Sequence, residues 1–166
     1  MEAPNTPLPV IAENIPEELK ALDQWLVWRY QTREGKPTKV PFNAKTGRFA
    51  KSNDPATWCD FQTALKTYKS GKYSGIGFAF TEGDGLYGVD LDHVIDKDTG
   101  EIEPWALEVV EKFKGTYVER SPSGTGLRIF GKGKPERCGK GTKEKRIELY
   151  DHTSPRYLTV TGHRYV

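Results

Sequence analysis

Cysteine is scarce in this 166-residue sequence: Cys59 and Cys138 stand far apart, with no Cys-x-x-Cys pair and no Cys/His cluster. That argues against a zinc site built from this chain and fits two reduced thiols in a cytoplasmic protein. Long apolar runs are missing as well. None approaches the ~20 residues that cross a bilayer, and Met1-Glu2-Ala3-Pro4 opens without the basic and apolar stretches of a secretory signal. Charge is not one-sided: 25 Lys and Arg against 23 Asp and Glu leave a net +2, which excludes a globally basic nucleic-acid coat protein but not a local basic patch. No Gly-Lys-Ser/Thr ending marks a Walker loop, and no His-hydrophobe-His pair supplies the metal site of a rolling-circle nicking enzyme.

What is present suits one compact domain with an aromatic-rich core of four Trp, eight Tyr and seven Phe. Residues 1–14 read as a flexible, Pro-rich lead-in and 15–166 as the domain. Pro16 to Leu22 fits a short helix, with Asn14 as its cap. Trp25 to Tyr30 and Thr38 to Pro41 read as strands joined by a turn at Glu34-Gly35-Lys36. Trp58, Phe61, Leu65 and Tyr68 fall at helical spacing, predicting a helix over 56–69 that Gly71 stops. Ile76 to Phe80 and Leu86 to Leu91 read as strands joined by the acidic turn Glu82-Gly83-Asp84-Gly85. Pro104 opens a second helix over 104–114, followed by strands at Tyr117 to Arg120, Leu127 to Phe130, Arg146 to Leu149 and Tyr157 to Thr161. Strands and helices interleave without a parallel βαβ rhythm, which points to an α+β domain. Val166 follows a strand with no closing helix, the pattern expected of a fragment of a longer protein.

The sharpest chemical feature is Gly88-Val89-Asp90-Leu91-Asp92. Alternate residues of a strand share a face, so Asp90 and Asp92 point the same way, roughly 6–7 Å apart at the Cα level, while Val89 and Leu91 face the core. Paired carboxylates repel unless a cation lies between them, and hard oxygen ligands on a rigid strand suit Mg²⁺ or Mn²⁺. Two such ions can activate a primer 3′ hydroxyl and stabilise leaving pyrophosphate. An Asp-x-Asp pair by itself equally describes solvated acids on a strand end.

Three further segments change that weighting. In Ser121-Pro122-Ser123-Gly124-Thr125-Gly126-Leu127-Arg128, Gly124 and Gly126 free backbone amides to face an anion and Ser121 and Ser123 add hydroxyl donors. Arg128, on the strand that follows, can hold a phosphate bidentately. The same segment also reads as a plain Ser/Gly turn. In Arg146-Ile147-Glu148-Leu149-Tyr150, Glu148 faces away from the inward Ile147 and Leu149 and supplies a third carboxylate. Between them, Lys132, Lys134, Arg137, Lys140, Lys143, Lys145 and Arg146 stand against Glu136 and Glu144, a local net of +5. This Gly-punctuated run reads as a loop able to track a nucleic-acid backbone, or as an ordinary solvated loop. His163, close to the end, is a weaker candidate for a nucleotide contact.

Taken in order, these pieces resemble the archaeo-eukaryotic primase superfamily, in its branch of phage and plasmid primase-polymerases. Asp90 and Asp92 match the first motif, the Ser121-to-Arg128 segment the second, and Glu148 the third. Lys39-Val40-Pro41-Phe42-Asn43, Thr46-Gly47, Asp54-Pro55-Ala56-Thr57-Trp58 and Tyr157-Leu158-Thr159-Val160-Thr161-Gly162-His163 also look like this branch, so the resemblance spans roughly residues 20–165. It implies a two-layer fold with an RRM-like catalytic sheet flanked by helices, and template-directed nucleotidyl transfer on single-stranded DNA. It further implies divalent ions on Asp90, Asp92 and Glu148, and a nucleoside triphosphate on Ser123, Gly124 and Arg128, with Lys39 as a weaker contact. A helical accessory domain and a helicase are its expected partners in a longer protein. One departure is Arg128, where many relatives carry His; a guanidinium binds phosphate but cannot shuttle a proton as an imidazole does. The alternatives at this point are a non-catalytic single-strand-binding module and a metal-dependent nuclease.

Overall fold

The computed structural model describes residues 6–133, 139–140, 146–154 and 156–165. Two antiparallel sheets carry the fold. The first contains β1 (Trp25–Arg33), β2 (Lys36–Phe42), β3 (Gly75–Ala79) and β9 (Tyr157–Val160), in the order β2-β1-β3-β9. The second contains β4 (Leu86–Leu91), β5 (Tyr117–Arg120), β6 (Leu127–Lys132), β7 (Gly139–Lys140) and β8 (Ile147–Tyr150), in the order β5-β6-β4-β8-β7. Three short helices, α1 (Glu17–Lys20), α2 (Phe61–Thr67) and α3 (Pro104–Lys112), complete the α+β architecture.

The β1–β2 hairpin turns on Glu34 and Gly35, both at positive φ (50° and 75°), the signature of a two-residue type I′ connection. The acidic turn behaves differently from a hairpin. β3 and β4 belong to different sheets, and the Glu82-to-Gly85 turn carries the chain from one to the other. Asp84 holds this crossover: its carboxylate accepts from Thr81 N (2.9 Å), Leu86 N (2.8 Å) and Gln24 Nε2 (3.1 Å).

The expected helix over 56–69 begins late. Cys59 pairs with Trp25 through two backbone hydrogen bonds, which pulls Trp58 and Cys59 into extended conformation. Asp60 then caps α2 by accepting from Thr63 N. Trp58 is still buried, but outside the helix. Gly71, at φ 86°, ends the helical region as its lack of a Cβ permits.

Each face of the second sheet has a distinct job. Val89, Leu91, Val118, Leu127 and Ile129 face α3 and form one core with Val94, Ile95 and Ala106. On the opposite face, Tyr117, Phe130, Gly88 and Tyr150 are in register across four strands. Here the second sheet packs on the first, whose core includes Trp25, Val27, Ile76, Phe78 and Leu158. The close approach depends on Gly88, where a Cβ would overlap Leu158 Cδ1. One pleat repeat further along the same face, the residues become polar and the sheets part to leave a cleft.

Gly88→Ala is expected to destabilise the protein by about 1–3 kcal/mol through overpacking. Thermal unfolding checks this, and an unchanged midpoint would show that Leu158 relaxes freely.

Candidate active site

The polar row is set by strand register. Glu119 on β5 lies opposite Arg128 on β6, Arg128 opposite Asp90 on β4, and Asp90 opposite Glu148 on β8. Period-two alternation puts all four side chains on the face that holds Tyr117, Phe130, Gly88 and Tyr150. All are buried, with relative exposures of 0% for Glu119, 6% for Arg128, 7% for Asp90 and 8% for Glu148. Charges at such depth persist only when paired or when a ligand completes them.

The pairing is partial. Arg128 Nη2 stands 3.8 Å from Asp90 Oδ1, an ion pair too long for a hydrogen bond. Asp90 Oδ1, Arg128 Nε and Arg128 Nη1 are buried without hydrogen-bond partners. Glu148 accepts from the Tyr150 hydroxyl, and its Oε2 lies 3.5 Å from Arg156 Nη1. Asp92, one pleat repeat beyond Asp90, has its carboxyl pushed up to about 6, first by burial and then by the charge of Asp90, with Glu148 adding and Arg128 opposing. The three sequence-predicted acids therefore share one electrostatic environment.

Across the cleft the first sheet contributes Lys39. Burial lowers its pKa and Arg128 lowers it further, while Asp90 and Asp92 pull it back up. The Tyr157 hydroxyl donates to Lys39 O at 2.6 Å, tying β2 to β9. The cleft, about 370 Å³, is lined by Lys39, Pro41, Ser52, Asp90, Arg128, Tyr150, Arg156, Tyr157, Leu158 and Thr159. That volume lies in the range of small-ligand sites.

No three His, Cys, Asp or Glu residues among those described form a ready-made metal cluster. Asp90 leans toward Arg128 and Glu148 is held by Tyr150 and Arg156. The donor chemistry nonetheless fits Mg²⁺ or Mn²⁺: hard carboxylate oxygens held close together, one of them buried and unbonded.

The remaining sequence candidates lie elsewhere. Ser121, Ser123 and Thr125 join hydroxyl to hydroxyl (3.1 and 2.7 Å), and Gly126 N donates to Ser121 Oγ at 2.9 Å. Gly124 takes φ 78°, and Gly126 packs against Leu91 O, so the turn sits at the end of β4 beside Asp92. Of this motif, Arg128 lines the cleft. His163 Nε2 lies 2.6 Å from Pro9 O, in contact with the lead-in. Lys132 pairs with Glu18 on α1 at 2.8 Å. Lys140 lies in β7 at the register position opposite Glu148, and Lys134, Arg137, Lys143 and Lys145 fall outside the described residues.

Several site residues escaped sequence reasoning. Tyr150 follows Glu148 by two in a strand, a signal that alternation could have supplied. Ser52 and Arg156 reach the cleft from loops and leave no such trace. Glu119 is the most consequential: its carboxylate accepts from Tyr117 Oη, Thr161 N and Gly162 N, each at 2.8 Å. Burial pushes its pKa up to about 7 against those hydrogen bonds.

No family model matches the sequence. The chain is similar to a DNA primase-polymerase of Nitratiruptor phage NrS-1, with 35% identity over 151 residues, covering 87% of this chain and 20% of that protein. It thus spans about a fifth of the length of the curated relative that it matches, and the likeness supports a primase-polymerase relationship.

Asp92 gives a stability signature. Its folded-state pKa of about 6 lies above the ordinary carboxylate value, so the folded state holds the proton more tightly. Stability is therefore lost as pH rises from about 4 through 6. Asp92→Asn, which carries no charge, is expected to be more stable than the parent at pH 8 by on the order of 1 kcal/mol, discounted for partial solvent screening, and indistinguishable near pH 4. Denaturant titrations at the two pH values check this; equal stabilities at pH 8 would mean that the charge is not crowded.

Proposed function

We propose that this chain is the nucleotidyl-transferring module of a DNA primase-polymerase, extending a strand on a single-stranded DNA template. The observation that carries the reading is the in-register row of Arg128, Asp90 and Glu148, of which Arg128 and Asp90 line one cleft with Lys39. The relative's printed function agrees with it.

In this reading Asp90, Asp92 and Glu148 hold the divalent cations. When bound, Mg²⁺ or Mn²⁺ supplies Lewis acidity to a 3′ hydroxyl and to departing pyrophosphate. Arg128 has two buried nitrogens, Nε and Nη1, with no hydrogen-bond partner, so its guanidinium has donors to spare for the triphosphate. Lys39 adds positive charge from the opposite wall. Arg156 and Tyr150 hold Glu148 until substrate arrives. Having Arg rather than His at 128 makes that residue's role electrostatic and positional, without proton transfer. The Ser121-to-Gly126 turn supports the end of β4, with the amides of Ser121, Gly124, Thr125 and Gly126 engaged inside the turn. Extension of an existing primer is the activity we assign to this module.

Primer extension with Mg²⁺ or Mn²⁺ tests the reading. The parent chain should incorporate nucleotides, and the Asp90→Ala, Asp92→Ala double variant should lose about a thousandfold or more in rate. Arg128→Ala should raise KM for the nucleotide more than it lowers affinity for the primer–template. Normal synthesis by the double variant sinks the assignment, and degradation of the labelled strand without nucleotides identifies a nuclease instead.

A further inference from the structure

The chain carries a second basic stretch besides the run of residues 132–146. Between Arg29 and Lys51 the sequence holds seven basic residues and a single acid, Glu34, a net of +6, while the remainder of the chain is net −4. These residues form the β1–β2 hairpin and the loop after it. Arg33, Lys36, Lys45, Arg48 and Lys51 are all exposed.

Amid them stands Phe49, 61% exposed and the most exposed large hydrophobic residue described. Its ring stacks on buried Phe42 with centroids 5.2 Å apart and planes at 27°. Its backbone is fixed: Phe49 bridges Phe42 as an added rung on the edge strand β2, flanked by Asn43 N to Arg48 O (2.8 Å) and Ala50 N to Pro41 O (3.0 Å). Behind Phe42, the Arg29 guanidinium lies 4.4 Å from that ring's centroid, and Arg33 stands 5.8 Å from the Phe49 centroid. A rigid exposed ring inside a positive field is unusual for a solvated surface and matches what an unpaired base needs: a π face for stacking and cations for the flanking phosphates. The position fits as well. Ser52, which lines the cleft, is three residues from Phe49, at most about 11 Å of chain.

We propose that Phe49 is a stacking platform for one base of a single-stranded DNA template, with Arg33 and Arg48 holding the adjacent phosphates as the strand leaves the cleft over the edge of β2. The base takes the outer face of Phe49, and Arg33, exposed at the hairpin end, moves to a phosphate. This assignment rests on the primase-polymerase reading for the identity of the strand; its test does not depend on catalysis.

The test is fluorescence anisotropy of a labelled oligothymidylate with the full 166-residue chain, in chelator and without nucleotides. Phe49→Ala should weaken binding about tenfold, within the roughly five- to hundredfold range of one lost stack. Phe49→Trp should restore it, and affinity for duplex DNA should not change. Arg33→Ala, at the exposed hairpin end and so independent of folding, should flatten the salt dependence by about 0.7 in log–log slope. Parent-like binding by Phe49→Ala overturns the platform, as does an equal loss on duplex and single strand, or failure of the parent chain to bind the oligonucleotide. Phe49-dependent binding without primer extension by the parent would leave the platform standing and remove the catalytic reading; extension with Phe49-independent binding would do the reverse.

Discussion

A buried guanidinium between two carboxylates is the contact on which the rest of this structure depends. Arg128 has Glu119 on one neighbouring strand and Asp90 on the other, with Glu148 one strand further on. Removing four charged groups from water is costly, and mutual attraction compensates only where signs alternate closely. Here acids outnumber the buried cation, and Asp92, pushed up to about 6 first by burial and then by the charge of Asp90, carries part of that excess. The same excess that costs the unliganded protein stability makes the cleft receptive to cations. Crowded acid and function are one design, as is common where a site is built for a charged ligand.

The apolar half of the same sheet face makes that row possible. Tyr117, Phe130, Gly88 and Tyr150 grip the first sheet, and two residues along each strand the polar row begins. Gly88 brings Leu158 down onto β4, so the cleft opens directly beside the tightest contact between the sheets. The geometry of the Arg128, Asp90 and Glu148 row is thus fixed by core packing, which suits chemistry that tolerates little misplacement.

Much of this was legible from residue order. That Asp90, Arg128 and Glu148 share one sheet face was recoverable because strand alternation is a local rule, and Val89 and Leu91 are buried as that rule requires. What resisted was long-range. A turn such as Glu82 to Gly85 has the same composition whether it closes a hairpin or crosses between sheets; Gln24, some sixty residues earlier, helps anchor it. Trp58 obeyed helical spacing yet sits outside α2, because the pairing of Cys59 with Trp25 outweighed local propensity. The Ser/Gly turn looked like a cradle from its composition, but its hydroxyls satisfy one another. The basic stretch from Arg29 to Lys51 escaped notice because it is spread across two strands and a loop.

Glu119 does more than flank Arg128. By accepting from Thr161 N and Gly162 N it fastens the residues after β9, a strand of the first sheet, to the edge of the second, where Tyr165 N also donates to Val118 O at 2.8 Å. One continuous stretch of backbone thereby stitches both walls of the cleft. Walls joined in this way have little freedom to swing apart like jaws, so in the proposed reading a substrate would gain admission by exchanging side-chain partners, with Arg156 yielding Glu148 and Arg128 turning from carboxylate to phosphate.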